Sequence, residues 1–198
     1  SGFFSSVFLV LDRIARFFFP KFVSKSYKKK CVDNIYEWVS ERLNGKDGLG
    51  GIFPAMVNAL IAFKIDEDNR YEKKIEVCRE AIDNLLIEKK DFAYCQPCLS
   101  PVWDTGWMGH VLLEQNKNVD DLVTWFLKKE IRSAGDWNIH KTKLVPGGWA
   151  FQFNNDHYPD VDDTALVGMF LDRYNRNKKN KKIEKCLERT RKWIISMQ

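Results

Sequence analysis

Eight stretches of this chain place apolar residues at helical spacing, and none alternates apolar and polar residues over the length of a strand. By number they run 3–19, 27–42, 54–65, 71–88, 101–114, 119–132, 164–175 and 183–197. Breakers such as Asn44-Gly45-Lys46-Asp47-Gly48 and the polar turn at 66–69 separate them. The expected class is therefore all-α, with helices joined by glycine- and aromatic-rich loops. At 198 residues and 44% apolar content, such a chain can bury one good core.

The most apolar of these stretches, 3–19, reads FFSSVFLVLDRIARFFF and closes on Pro20. Asp12, Arg13 and Arg16 interrupt it, which argues against a spanning helix, since that needs about 20 apolar residues with few or no charges. At helical spacing the charges gather on one side and leave Phe4, Val7, Phe8, Leu11, Ile14 and Phe18 along the other. Such a helix either packs in a core or lies in a membrane interface.

The net charge of +5 is spread out. Dense basic runs occur only at Lys28-Lys29-Lys30 and at Lys178-Lys179-Asn180-Lys181-Lys182, and no nucleic-acid fingerprint accompanies them. The five cysteines (Cys31, Cys78, Cys95, Cys98, Cys186) are odd in number and irregularly spaced, which suits reduced thiols. Cys95-Gln96-Pro97-Cys98 has neither a second pair nor a nearby His to complete a zinc site.

Chemistry concentrates in Pro146-Gly147-Gly148-Trp149-Ala150-Phe151-Gln152-Phe153 and the following Tyr158-Pro159-Asp160-Val161-Asp162-Asp163-Thr164. Asp156, Asp160, Asp162 and Asp163 lie within eight positions. Like charges this close raise the cost of ionising all of them, so at least one carboxyl is expected to keep its proton above the usual range. A crowded acid beside aromatic rings suits protonation of a weak base followed by shelter of the resulting cation. The same run also reads as a plain helix start with acids at the positive end of the dipole. A magnesium–diphosphate site is the third reading. Such a site has adjacent aspartates followed at helical spacing by another, plus a second distal metal motif, and neither is present, so no metal is expected.

The run from Asp160 to Asp163 resembles the Asp-Xaa-Asp-Asp motif of the squalene–hopene cyclases, the class II triterpene cyclases. Three further runs are similar to that family in order and spacing: Gly48 to Met56, Gln96 to Gly106, and Gly135-Asp136-Trp137. Trp38, Trp125 and Trp193 resemble starts of that family's QW repeat, with Leu43 and Glu130 where its Gln is expected and Gln198 at the chain's last position.

The resemblance implies an incomplete α/α barrel (toroid) of the terpene cyclase and prenyltransferase type, spanning parts of two barrel domains. Residues 1–70 would belong to the smaller domain, with a membrane-contact helix, and 71–198 to the larger catalytic one. It implies that Asp162 donates a proton to a terminal alkene of squalene and that Asp160 and Asp163 support it. Trp103 and Phe151 match residues lining the cavity near the early cation, and Ile52, Pro54 and Gln152 match cavity positions more loosely. No cofactor is implied. The implied partners are squalene, a membrane lipid surface and a second copy of the complete enzyme, on the cytoplasmic face of a bacterial membrane. The same acid motif serves class II diterpene cyclases acting on a prenyl diphosphate, and a non-catalytic helical domain is the reading from another class. The chain is expected to be an internal slice, since it opens on Ser1, and to be inactive and poorly soluble by itself. Trp107, Trp125, Trp149 and Trp193 are expected to pack in the core.

Overall fold

The structure, a computed structural model, describes residues 3–66, 70–139 and 144–198. His140 and most of the polar turn at 66–69 lie outside the described residues. The chain divides into two compact units, Ser1–Glu41 and Arg42–Gln198.

The first unit holds two helices, α1 (Phe3–Phe22) and α2 (Lys25–Glu41). Helix α1 continues past Pro20, where the sequence suggested a stop. A proline in the last turn removes one backbone donor close to where the helix ends anyway. Phe4, Phe8, Leu11 and Phe18 are exposed along it, and Asp12 pairs with Arg16 at 2.8 Å. Among the described residues, no helix is long and apolar enough to cross a membrane. The Ser24 hydroxyl accepts the Tyr27 amide at 3.1 Å at the start of α2.

The second unit begins with α3 (Phe53–Ile65) and α4 (Glu72–Asp83), packed around buried Met56, Ala81 and Leu85. Here the sequence reading needs correction, because the helix expected over 71–88 stops at Asp83. Leu85 turns fully into the core, and Leu86–Glu88 (β1) leaves as a strand pairing antiparallel with Ala93–Cys95 (β2). The Lys89 amide donates to the Phe92 carbonyl at 2.8 Å to close this hairpin. Ile82, Leu85 and Leu86 keep helical spacing, so three-residue strands were invisible to a periodicity test.

The larger core is built by α5 (Pro101–Glu114), α6 (Asp120–Lys129), α7 (Val161–Lys178) and α8 (Lys181–Ser196). Val102, Val123, Phe126, Trp149, Val167, Phe170, Leu171 and Ile183 are buried together there. On α5, Gly106 lies against Leu166 and Gly109 against Phe170 of α7. The two contacts advance in the same direction, so α5 and α7 run parallel and their N-termini share one end. Lys179 takes a left-handed turn (φ 50°) that reverses the chain from α7 into α8. The fold is all-α apart from the hairpin, as the sequence indicated.

Candidate active site

The acidic run sits where an extended segment meets a helix start. Gly148, Trp149 and Ala150 run between two partners. The Ile131 amide donates to the Gly148 carbonyl (2.8 Å), and the Asp160 amide donates to the Trp149 carbonyl (2.7 Å). Trp149 is fully buried. Its amide donates to the Thr164 hydroxyl (2.9 Å) and its indole N–H to the Phe126 carbonyl (2.9 Å). A Cβ on Gly148 would come within 2.8 Å of Thr164 Oγ1 and 3.1 Å of Pro159, so only glycine lets this segment lie against α7. The aromatic run read in the sequence is therefore the support on which the aspartates stand.

The three motif aspartates have different surroundings. Asp160 is the N-cap of α7, accepting the Asp162 amide at Oδ1 (2.9 Å). Asp162, on the first turn, is exposed. Asp163 points inward at 1% exposure, and its Oδ1 has no hydrogen-bond partner. Burial first, then the charges of Asp160 and Asp162, push its carboxyl up to about 7, against the pull of its own backbone amide. Asp163 is thus a raised acid in a cluster where at least one was expected. Asp156 is exposed nearby.

The remaining candidates fall into two groups. Trp103 is half-buried on the first turn of α5, at the same end of the α5/α7 pair as the aspartates. Its ring meets Trp107 edge-on at 5.9 Å. Trp107, expected in the core, is instead 50% exposed, because nothing among the described residues covers that face of α5. Trp149 and Trp193 are buried as expected, and Trp125 packs partly buried against the core. Phe151 is half-buried just after Trp149.

Ile52, Pro54 and Gln152 form the second group. Ile52 and Pro54 are exposed at the start of α3. Their loop is tied to the segment before α5, since the Phe53 amide donates to the Pro97 carbonyl (3.0 Å) and the Leu99 amide to the Gly51 carbonyl (3.0 Å). Gln152 lies beneath at 3% exposure, with both amide atoms unpartnered. A Cβ on Gly51, where φ is +60°, would fall 2.2 Å from Gln152 Oε1. The structure thus joins Gln152 to the Gly51–Ile52 loop, a link that sequence spacing does not reveal.

Clefts of about 690 and 450 Å³ open near the other end of α7, lined by polar side chains such as Lys117, Arg173 and Arg176. Neither includes a motif aspartate. Among the described residues no three His, Cys, Asp or Glu side chains gather in a way that could hold a metal ion.

Sequence reasoning missed two buried ion pairs. Arg42 pairs with Asp136, 94 positions away, and Glu130 with Arg189, 59 positions away. Glu130 holds Arg189 of α8 by two bonds of 2.7 Å. Such partners are too distant along the chain for any local signal to mark them.

A helical scaffold carrying Asp-Xaa-Asp-Asp at a helix N-terminus, with aromatic side chains at the same end of the helix pair, has the features of a terpene cyclase. Comparison with known proteins narrows this. Residues 99–198 match the squalene-hopene cyclase C-terminal domain, and residues 2–91 match the N-terminal domain. The squalene–hopene cyclase of Bradyrhizobium diazoefficiens is 42% identical over 97% of this chain and 30% of its own length. Those of Schizosaccharomyces japonicus (39% identical, 97% of this chain, 30% of its own length) and Alicyclobacillus acidocaldarius (33%, 97% and 31%) align similarly. The chain belongs to the squalene-hopene cyclase family. It spans about 30% of the length of the curated relatives it matches.

Proposed function

We propose that this chain is the proton-donating part of a squalene cyclase, an isomerase that protonates a terminal alkene of squalene and guides cationic ring closure to hopene or hopanol without a cofactor. The observation that carries the reading is the split among the three aspartates at the start of α7: one caps the helix, one is exposed, and one is buried with its proton held up to about 7. An alkene is a very weak base, so its protonation needs a placed acid that the substrate can touch. Asp160 and Asp162 are both exposed, and of the two Asp162 is the one whose carboxylate does not cap the helix. Asp160 Oδ1 is engaged by the backbone, and Asp163 has almost no accessible surface. We therefore assign proton donation to Asp162, backbone placement to Asp160, and control of local charge to Asp163.

Trp103 and Phe151 supply ring faces to the cation, attracting positive charge without offering a nucleophile. Ile52, Pro54 and Gln152 line the same cavity in this reading. The division between a smaller and a larger barrel domain belongs to it too, and is supported by the two domain matches on either side of residues 92–98. The exposed phenylalanines of α1 are the surface we assign to lipid contact, on the cytoplasmic face of a bacterial membrane, and the working enzyme is proposed to be a homodimer.

The test is to incubate the complete cyclase carrying these residues with squalene and analyse the hydrocarbon products. Polycyclic triterpenes are expected, and Asp162→Asn should lower their formation by at least about 100-fold, the scale of general acid catalysis. Absence of polycyclic product, or an Asn variant as fast as the parent, refutes the assignment.

A further inference from the structure

Asp136 anchors a buried ion pair whose other member comes from the first residue of the second unit. Arg42 donates from Nε to Asp136 Oδ2 (2.7 Å) and from Nη2 to Oδ1 (2.5 Å), and the two side chains keep only 7% and 15% of their surface exposed. This two-pronged geometry fixes orientation as well as distance. Burial, and then the Asp136 carboxylate, raise the pKa of the Tyr158 hydroxyl, so the ring stands within reach of the same pair. The guanidinium, followed by Tyr158, holds the Asp136 carboxyl down to about 2 against the effect of burial.

The loop around Asp136 is gripped on two further sides. Gly135 lies so close to His157 that a Cβ would stand 3.0 Å from its carbonyl oxygen. The Trp137 ring meets Trp193 of α8 at 6.0 Å. Tyr158 is two residues before the N-cap Asp160. The residue between them is Pro159, whose ring fixes φ and so transmits the position of Tyr158 to the helix start.

We infer that Arg42 and Asp136 are positioning residues for the acid: acting through Tyr158, they set where the chain enters α7 and therefore where Asp160 and Asp162 stand. This rests on the proton-transfer role proposed above for Asp162. Neither residue is among those assigned above to proton donation or cation contact. The effect arises because proton transfer is sensitive to displacements of about 1 Å, which can cost about 100-fold in rate.

Two conservative variants of the complete cyclase test it. Arg42→Lys keeps the charge and loses the fork, and Tyr158→Phe keeps the ring and loses the hydroxyl. Each is expected to lower kcat on squalene about tenfold while KM stays within twofold, with Tyr158→Phe melting within a few degrees of the parent. Hydrogen exchange is measured in the same samples, and does not depend on which substrate the parent accepts. The amides of Asp160 and Asp162 should exchange about tenfold faster in both variants, with the later turns of α7 unchanged. Unchanged exchange at these two amides overturns the inference, as does kcat within twofold of the parent in folded variants. A parent that leaves squalene untouched, but whose variants show the local exchange change, refutes the substrate assignment and keeps the positioning role.

Discussion

Replacing Asp163 by Asn should make the protein more stable, and only above mildly acidic pH. The carboxyl is buried at 1% exposure beside two other aspartates, and its proton is held from the ordinary 3.8 up to about 7. Between those two values the folded chain keeps one proton that the unfolded chain has released. Stability therefore falls as pH rises through this window. Below about pH 4 both states are protonated and no penalty exists. Above about pH 7 both are ionised and the full penalty applies. At about 1.4 kcal/mol per pH unit, the window amounts to about 4 kcal/mol. Asn has nearly the same shape and never ionises, so Asp163→Asn removes the penalty. The expected result is equal stability of parent and variant near pH 4 and a gain of about 4 kcal/mol near pH 8. In a chain of this size, that gain corresponds to a rise in Tm of about 8 to 16 °C. Denaturant unfolding followed by fluorescence, which the buried Trp149 and Trp193 report, measures it directly. A variant-minus-parent difference that is the same at pH 4 and pH 8 would show that Asp163 is not held neutral by burial.

Gly51→Ala should destabilise the second unit by about 1 to 2 kcal/mol, because φ is +60° there and the added Cβ meets Gln152 Oε1 at 2.2 Å. Urea midpoints read the change, and a variant as stable as the parent would mean that the Gly51–Gln152 contact is loose. Glu130→Ala should cost about 3 kcal/mol, since it leaves the Arg189 guanidinium without the carboxylate that holds it by two bonds. Pairing this change with Arg189→Met in a double-mutant cycle should recover much of the loss; strict additivity of the two changes would disprove the coupling.

Helices were legible in the sequence because each buries a stripe, and a stripe leaves a period of about 3.6 residues in the order of the side chains. The start of α5 at Pro101 and the start of α7 beside the aspartates could be read from proline and from capping acids. The hairpin at 86–95 could not, since two three-residue strands are shorter than the window that detects alternation. Trp107 was misplaced for a different reason. A large aromatic at helical spacing looks the same to a sequence whether its face is covered or open, and the face of α5 that α7 covers carries Val102, Gly106 and Gly109 but not Trp107. The aspartate cluster announced itself by density, but density could not say which carboxyl turns inward. That choice is tertiary, made by Thr164 and Trp149 locking the first turn of α7 in one rotation.

The rotation matters because successive helix residues are about 100° apart, so neighbouring aspartates face different media. Two opposing influences act at the start of α7. The helix dipole favours the ionised form by about 0.3 to 1 kcal/mol for a side chain in the first turn. Removal from water favours the neutral form, and at Asp163 the net outcome is worth about 4 kcal/mol in that direction. Burial wins there by a wide margin, and it can win only for the side chain that the fold hides. Below about pH 7 a protonated Asp163 adds no negative charge beside Asp162. In the proposed reaction the donor must part with its proton readily, and a neutral neighbour serves that better than an anionic one. Three identical carboxylic acids within four positions thus take three surroundings: the cap that fixes the backbone, the exposed acid to which the proposed reaction assigns the proton, and the hidden acid that burial holds neutral up to about pH 7.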